Sequence, residues 1–208
     1  MKLERALGAM IESGLKVKDV LSANRMLQRM NLGAKSTRDV LLEFVELMGG
    51  NFNHFQVAYQ EIQKVDLDTY PIKRDEEVVE LLEELKQDHD LAIVTRGSAK
   101  MQKAKMAAFG LSETLFCETI VTPFFDKGDH YIYLSKKYDV PFSQIVVIGD
   151  RIDVDLKEAK KMGSHTVHIR KGRGANFEPR KDIVDFTIYD LGELRQILEN
   201  QEKLVEIV

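Results

Sequence analysis

Apolar residues in the first 65 positions recur with helical spacing. Leu3 and Leu7 fall on one face of a first helix, because residues four apart lie on the same side of an α-helix. A second helix is predicted to begin at Ser36, which with Asp39 resembles a capping box, and to end at the glycines 49–50. A third helix follows directly, and no alternating strand pattern occurs here. The pattern predicts an all-helical module of three helices whose apolar stripes form its core.

From about residue 70 the pattern changes to alternating helices and strands. The apolar runs predict strands at 91–94, 115–121, 145–148, 165–169 and 186–188. Strands separated by helices of about 10–15 residues are typical of β-α-β units and a parallel sheet. The sequence therefore predicts two domains: an α-helical one over 1–68, and an α/β core over 69–208 in which a Rossmann-like parallel sheet has helices on both faces.

The stretch 145–155 concentrates acidic residues at the end of the most apolar strand. The four β-branched residues of 145–148 predict a strand buried on both faces, as in parallel sheets. The strand ends at Gly149, and Asp150, Asp153 and Asp155 follow. Open α/β sheets place metal and phosphate chemistry at the carboxyl ends of their strands. The alternative is a tight turn in which Asp153 caps the next helix.

Composition and charge exclude several classes of function. The chain has 208 residues, of which 44% are hydrophobic and 31% charged, as in ordinary globular proteins. The net charge of −4 gives no reason to expect a nucleic-acid partner. No apolar run approaches the roughly 18 residues that a membrane span needs, and the N-terminus does not resemble a signal peptide. The single cysteine, Cys117, fits a reducing compartment. We expect a cytoplasmic protein that binds neither nucleic acid nor membrane.

Two further positions carry residue types suited to binding phosphate. The strand at 91–94 leads into Thr95, Arg96, Gly97 and Ser98 and then into a helix. A hydroxyl beside the backbone N–H groups of a helix N-terminus makes a phosphate site, although Ser98 could equally be an ordinary helix cap. Lys127 precedes another helix, and a lone lysine there is usually a solvated surface charge.

Considered together, these motifs resemble those of the haloacid dehalogenase-like superfamily. Thr95, Lys127 and Asp150 with Asp155 occur in the order of that family's second, third and fourth motifs. The similarity covers roughly residues 70–190, and the helical segment before it resembles the α-helical cap of many members. The spacing from Lys127 to Gly149 is slightly short, so the lysines at 136–137 are competing candidates for the third motif.

The resemblance implies a Mg²⁺-dependent phosphatase that acts on a small phosphorylated metabolite. In that family an Asp nucleophile accepts the phosphoryl group and then passes it to water. Asp150 would hold the metal and Asp155 would support it. The residues implied to bind phosphate are Thr95, Arg96, Gly97 and Lys127, and Thr95 and Lys127 are also implied to act in catalysis. Dehalogenase and phosphomutase chemistry stay open as alternatives.

The family's first motif, a buried strand ending in Asp-x-Asp that supplies the nucleophile, has no counterpart before the helical segment. The one Asp-x-Asp of the first half, Asp66 and Asp68, follows no buried strand. We therefore expect the first core strand to be missing and the chain to be inactive or nearly so. Three arrangements would fill the gap: the neighbouring strands pair directly, another chain lends a strand in self-association, or the protein begins further upstream, which we favour.

The alternative function is a non-catalytic member of this fold that serves as a binding or interaction protein. A nucleotide-binding Rossmann domain is set aside, because no Gly-x-Gly-x-x-Gly follows a predicted strand.

Overall fold

A computed structural model describes residues 2–34, 36–64, 74–124, 126–172 and 174–205. The chain divides into two compact units, Met1–Pro71 and Ile72–Val208. The predicted domain boundary at residue 68 lies outside the described residues and stays a prediction. Within the described ranges, no helix combines the length and the apolar character that crossing a membrane requires.

The N-terminal unit consists of helices. They are α1 (Lys2–Glu12), α2 (Val20–Gly33), α3 (Thr37–Leu47) and α4 (Phe52–Gln63). The prediction of three helices was wrong: α2 lies between the first two predicted helices, and of its apolar residues it buries only Ala23 and Leu27. Its start depends instead on Asp19, whose carboxylate accepts hydrogen bonds from two backbone N–H groups of the first turn.

The predicted start of α3 is confirmed. The Ser36 hydroxyl accepts a hydrogen bond from the backbone N–H of Asp39 at 3.2 Å. Fully buried Leu7, Met10 and Phe44 lie in one apolar core to which all four helices contribute. The apolar stripes of this unit therefore serve packing, as the sequence indicated.

The C-terminal unit is an α/β structure. Its strands are β1 (Ala92–Arg96), β2 (Glu118–Thr122), β3 (Val146–Gly149), β4 (His165–Ile169) and β5 (Phe186–Ile188). Its helices are α5 (Glu76–Leu85), α6 (Ala99–Phe109), α7 (Gly128–Tyr138), α8 (Lys157–Lys161) and α9 (Leu194–Val205). Every strand pairing is parallel, which confirms the predicted α/β class.

The described strands form two sheets rather than one. β1 pairs with β2, and β3 pairs with β4, which pairs with β5. The prediction that β3 is buried on both faces is wrong: Ile148 is 40% exposed, whereas Val167 of the neighbouring β4 is completely buried. The reason is position, because β4 has a strand on each side and β3 is an edge strand of its sheet.

Candidate functional site

The segment after β3 folds so that Asp155 returns to the end of the strand. Residues Ile152–Leu156 form a π-helical turn, and α8 begins only after it. The Asp155 carboxylate accepts a hydrogen bond from the backbone N–H of Arg151 at 3.0 Å. A Cβ atom at Gly149 would lie 2.4 Å from the Cβ of Asp155, so this close return requires glycine.

Asp153 does not cap the helix, which decides one alternative left open by the sequence. The residue at the start of the turn, Arg151, makes no capping hydrogen bond with its side chain to the described residues. Asp153 instead accepts a hydrogen bond from the exposed guanidinium of Arg180 at 3.1 Å.

A buried ion pair joins Lys127 and Asp155. The Lys127 Nζ donates to Asp155 Oδ1 at 2.6 Å, and the two side chains are 11% and 10% exposed. The competing lysines Lys136 and Lys137 lie exposed near the end of α7, where Lys137 contacts Glu118. Of the three candidates, Lys127 is therefore the one that the fold brings to the end of β3.

Tyr131 also packs against Asp155. Its hydroxyl donates to the Asp155 backbone carbonyl at 2.9 Å. Burial, followed by the negative charge of Asp155 and of Asp126, raises the pKa of this phenol well above its usual range. Tyr131 therefore stays a neutral hydrogen-bond donor that holds the turn in place. Its role was not predicted, because the contact spans 24 positions of the sequence.

Asp150 lies half-buried at the carboxyl end of β3. A Cβ atom at Gly174 would come within 3.1 Å of the Asp150 Cβ and 2.2 Å of the Ile169 carbonyl oxygen. The loop after β4 therefore packs closely against Asp150 and limits the positions that its carboxylate reaches.

His168 is a buried residue of β4 that the sequence did not connect with the site. It lies beside Gly149 in the strand register and is completely buried. Among the residues that the structure describes, neither ring nitrogen has a hydrogen-bond partner. Burial lowers the pKa of His168, and the nearby backbone of Asp150 opposes this only in part. The imidazole is therefore neutral, and only the strand register reveals that it neighbours Gly149.

The end of β1 places Thr95 and the following turn beside β2. Thr95 lies opposite Val121 in the register. The Arg96 carbonyl accepts a hydrogen bond from the Gln102 side chain at 2.7 Å. The N–H of Gly97 donates to the Thr122 carbonyl at 3.0 Å, so in this structure that group is engaged within the sheet.

Ser98 immediately precedes α6 but makes no capping hydrogen bond with its side chain. The ordinary-cap alternative for Ser98 is therefore wrong. The first turn of α6 thus follows the strand end without a side-chain cap from this residue.

A cavity of about 420 Å³ lies between the two sheets. Val94 of β1, Ile148 of β3 and Lys127 contribute to its lining. Of the predicted site residues, Lys127 is among those that line this cavity, whereas Thr95 and Asp150 are not.

The described residues fit a Mg²⁺ site only in part. Among the residues with described positions, no group of three or more His, Cys, Asp and Glu side chains is arranged to hold a metal ion. Asp155 pairs with Lys127, and Asp150 lies at the carboxyl end of β3. Mg²⁺ usually takes one or two carboxylates together with waters and substrate oxygens. Asp66 and Asp68 lie outside the described residues.

A family model and two relatives of known name match most of this chain. The family model described as haloacid dehalogenase-like hydrolase matches residues 16–169. A glyceraldehyde 3-phosphate phosphatase of Methanocaldococcus jannaschii is 30% identical over 152 residues, which are 71% of this chain and 64% of that protein. The enzyme of the same name from Methanopyrus kandleri is 29% identical over 154 residues, with the same shares. The chain thus spans 64% of the length of these curated relatives.

A solved structure has the same fold. The crystal structure of a predicted phosphoglycolate phosphatase from Haemophilus somnus 129pt matches with a TM-score of 0.70 at 20% identity. The match covers 95% of this chain and 90% of that one.

Proposed function

Because the chain belongs to the haloacid dehalogenase-like hydrolase family, we propose that it provides the phosphate-binding and metal-binding part of a Mg²⁺-dependent phosphatase site. The observation that carries this proposal is the buried Lys127–Asp155 pair at the end of β3, beside the cavity between the sheets. The substrate is a small phosphorylated metabolite, of the size of the glyceraldehyde 3-phosphate named in two relatives.

Each predicted residue has a defined task in this proposal. Lys127 is held by Asp155 and offsets the negative charge of a bound phosphate. Thr95 donates its hydroxyl to a phosphate oxygen, with Arg96 adjacent. Gly97 shapes the turn that presents them, since its N–H is engaged with Thr122. Asp150 is a ligand of Mg²⁺, which when bound neutralises charge on the phosphate.

The phosphoryl transfer needs a carboxylate nucleophile besides these groups. A carboxylate oxygen attacks phosphorus, the ester P–O bond breaks, and the leaving alcohol takes up a proton. Water then attacks the acyl phosphate, which releases inorganic phosphate and restores the carboxylate. Asp155 cannot serve, because it is buried in its ion pair with Lys127. We therefore expect little turnover from the 208-residue chain alone.

The test separates binding from turnover. Vanadate, a phosphate analogue, should bind the 208-residue chain in the presence of Mg²⁺, and Lys127→Met should remove this binding. Lys137→Met is the matched control, since Lys137 is an exposed lysine near the end of α7, the helix that Lys127 precedes. Mg²⁺ titration by calorimetry should weaken in Asp150→Asn and stay unchanged in Asp153→Asn.

Turnover is measured with p-nitrophenyl phosphate and Mg²⁺. We expect a rate close to background. Robust activity that Asp66→Asn or Asp68→Asn abolishes would refute the proposed absence of a nucleophile from this chain.

A second candidate function is a non-catalytic binding or interaction protein. The engagement of Asp155 by Lys127 favours it, since this pair stabilises the fold whether or not a metal binds. It predicts weak Mg²⁺ binding and no vanadate binding, so tight binding of both would exclude it.

A further inference from the structure

The peptide unit between Arg96 and Gly97 is held at both of its polar ends. Its carbonyl, that of Arg96 at the end of β1, accepts a hydrogen bond from the side-chain amide of Gln102 at 2.7 Å. Its N–H, that of Gly97, donates to the Thr122 carbonyl at the end of β2 at 3.0 Å. Because a peptide unit is planar, two hydrogen bonds at its opposite ends fix the orientation of the whole unit.

The close approach of Gln102 requires glycine at position 97. Gly97 has a φ of +149°, a conformation that residues with a side chain rarely adopt. A Cβ atom there would lie 2.8 Å from Gln102 Nε2, the atom that donates to the Arg96 carbonyl. The turn and the Gln102 side chain therefore fit each other, and a change in one displaces the other.

Gln102 also connects helix α6 with the end of the strand. Its backbone N–H donates to the Ser98 carbonyl at 2.9 Å, so Gln102 belongs to the first turns of α6. Within the part of the chain that the structure describes, α6 has no buried residue. Helices in proteins owe most of their stability to the packing of a buried face. The hydrogen bond from Gln102 to Arg96 therefore contributes more to fixing the start of α6 than it would in a helix with a buried face.

Thr95, whose hydroxyl is the proposed phosphate ligand, lies just before this peptide unit. A rotation of the unit changes ψ of Arg96 and φ of Gly97, and it thereby moves Thr95 relative to the start of α6. A binding group has to be held within about 0.5 Å of its working position by the residues around it. The orientation of the Arg96–Gly97 unit therefore affects how well the Thr95 hydroxyl meets a phosphate.

We propose that Gln102 is a positioning residue for phosphate binding at the end of β1. Its side-chain amide holds the Arg96–Gly97 peptide unit, and this unit holds Thr95 and Arg96 in the arrangement that binds the phosphate. Gln102 acts through the peptide unit and does not contact the phosphate. This inference rests on the proposed function, in which Thr95 and Arg96 bind the phosphate of the substrate.

The first test is vanadate binding by the 208-residue chain with Gln102→Met. Methionine has a similar length and helix propensity but no hydrogen-bond donor. In calorimetry with Mg²⁺ present, the Kd for vanadate should rise by about fivefold, as expected for the loss of one hydrogen bond. The Kd for Mg²⁺ alone should not change, because its proposed ligand Asp150 follows a strand of the other sheet.

Gln87→Met is the matched control. The Gln87 side chain also donates to a backbone carbonyl, that of Glu83 at 3.2 Å, but it does so just after α5. Its replacement removes the same kind of hydrogen bond far from Thr95 in the sequence. Vanadate binding should therefore be the same in Gln87→Met as in the original chain.

A second measurement needs no ligand. When the Arg96 carbonyl loses its donor, the peptide unit rotates more freely, and the Gly97 amide should exchange its hydrogen about fivefold faster in NMR. The Arg170 amide, which donates to the Ile188 carbonyl at 2.8 Å in the other sheet, should not change. Gln102→Lys supplies a new donor and should restore slow exchange at Gly97. This variant is used for exchange alone, because its charge would itself strengthen vanadate binding.

The outcomes separate the inference from the proposed function. Vanadate binding as tight in Gln102→Met as in the original chain would overturn the inference and leave the proposed function standing. Equal weakening by Gln87→Met, or unchanged exchange at Gly97, would also overturn it. If the original chain binds no vanadate, the proposed function is wrong and the inference falls with it. If circular dichroism shows that Gln102→Met is unfolded, Gly97 exchange is compared between Gln102→Lys and Gln102→Glu, since only the former has a donor at neutral pH.

Discussion

Replacing Lys127 by Met should destabilise the C-terminal unit by about 3 kcal/mol. Removing one partner of a buried ion pair costs roughly 3–5 kcal/mol, because the remaining charge stays buried without its counter-ion. The lower end applies here, since Asp155 keeps its hydrogen bond from the Arg151 N–H and retains 10% exposure. For a unit of this size, this corresponds to a fall in Tm of about 10 °C.

The measurement is urea and thermal unfolding followed by circular dichroism, with the two units fitted as separate transitions. Lys137→Met is the control, because the Lys137–Glu118 pair is more exposed and its loss should cost less than about 1 kcal/mol. A double-mutant cycle with Asp155→Asn should give a coupling energy of about 2 kcal/mol. If Lys127→Met lowers the free energy of unfolding by no more than Lys137→Met does, the view that the Lys127–Asp155 pair organises the strand end is refuted.

Three further predictions concern single residues. His168 has a lowered pKa in the folded state, so the unfolded chain binds more protons as the pH falls below about 6.5. The free energy of unfolding should therefore fall below that pH, and it should fall less steeply in His168→Gln. The measurement is urea unfolding at pH values from 7 to 5, and the same pH dependence in the variant and the original chain would contradict the prediction. Gly149→Ala should cost about 1–3 kcal/mol, because its Cβ would collide with Asp155. Gly8→Ala, where a Cβ meets nothing within 4 Å, should not be destabilising, and similar Tm losses for both would count against the argument. Ser36→Ala should cost the N-terminal unit about 1 kcal/mol through loss of its cap, and Ser36→Asp should restore it.

Some features of the helices could be predicted from residues close together in the sequence, and others could not. The cap at Ser36 was predictable, because a side chain and the backbone N–H that it binds are three residues apart. Helix α2 was not predicted, and of its apolar residues only Ala23 and Leu27 are buried. Which apolar positions a helix buries is therefore decided by its neighbours in the fold.

The candidate site was predictable in its residue types but not in its pairings. Both Asp153 and Asp155 follow β3, and the turn geometry alone decides that Asp155 returns to the strand end. Likewise Lys127, Lys136 and Lys137 were competing candidates until the fold placed Lys127 against Asp155. His168 gave no local signal, since its neighbour Gly149 lies on another strand.

The sequence by itself determined the alternation of helices and strands after residue 70, the parallel α/β class, and the presence of Thr95 and Asp150 at strand ends. These properties depend on the spacing of apolar residues along the chain, because side chains return to the same face every 3.6 residues in a helix and every two residues in a strand. The tertiary structure alone decided that Lys127 meets Asp155, 28 positions away, and that Ile148 lies on an open edge. Such contacts depend on which strands are neighbours, and a strand's burial depends on what packs on both of its sides.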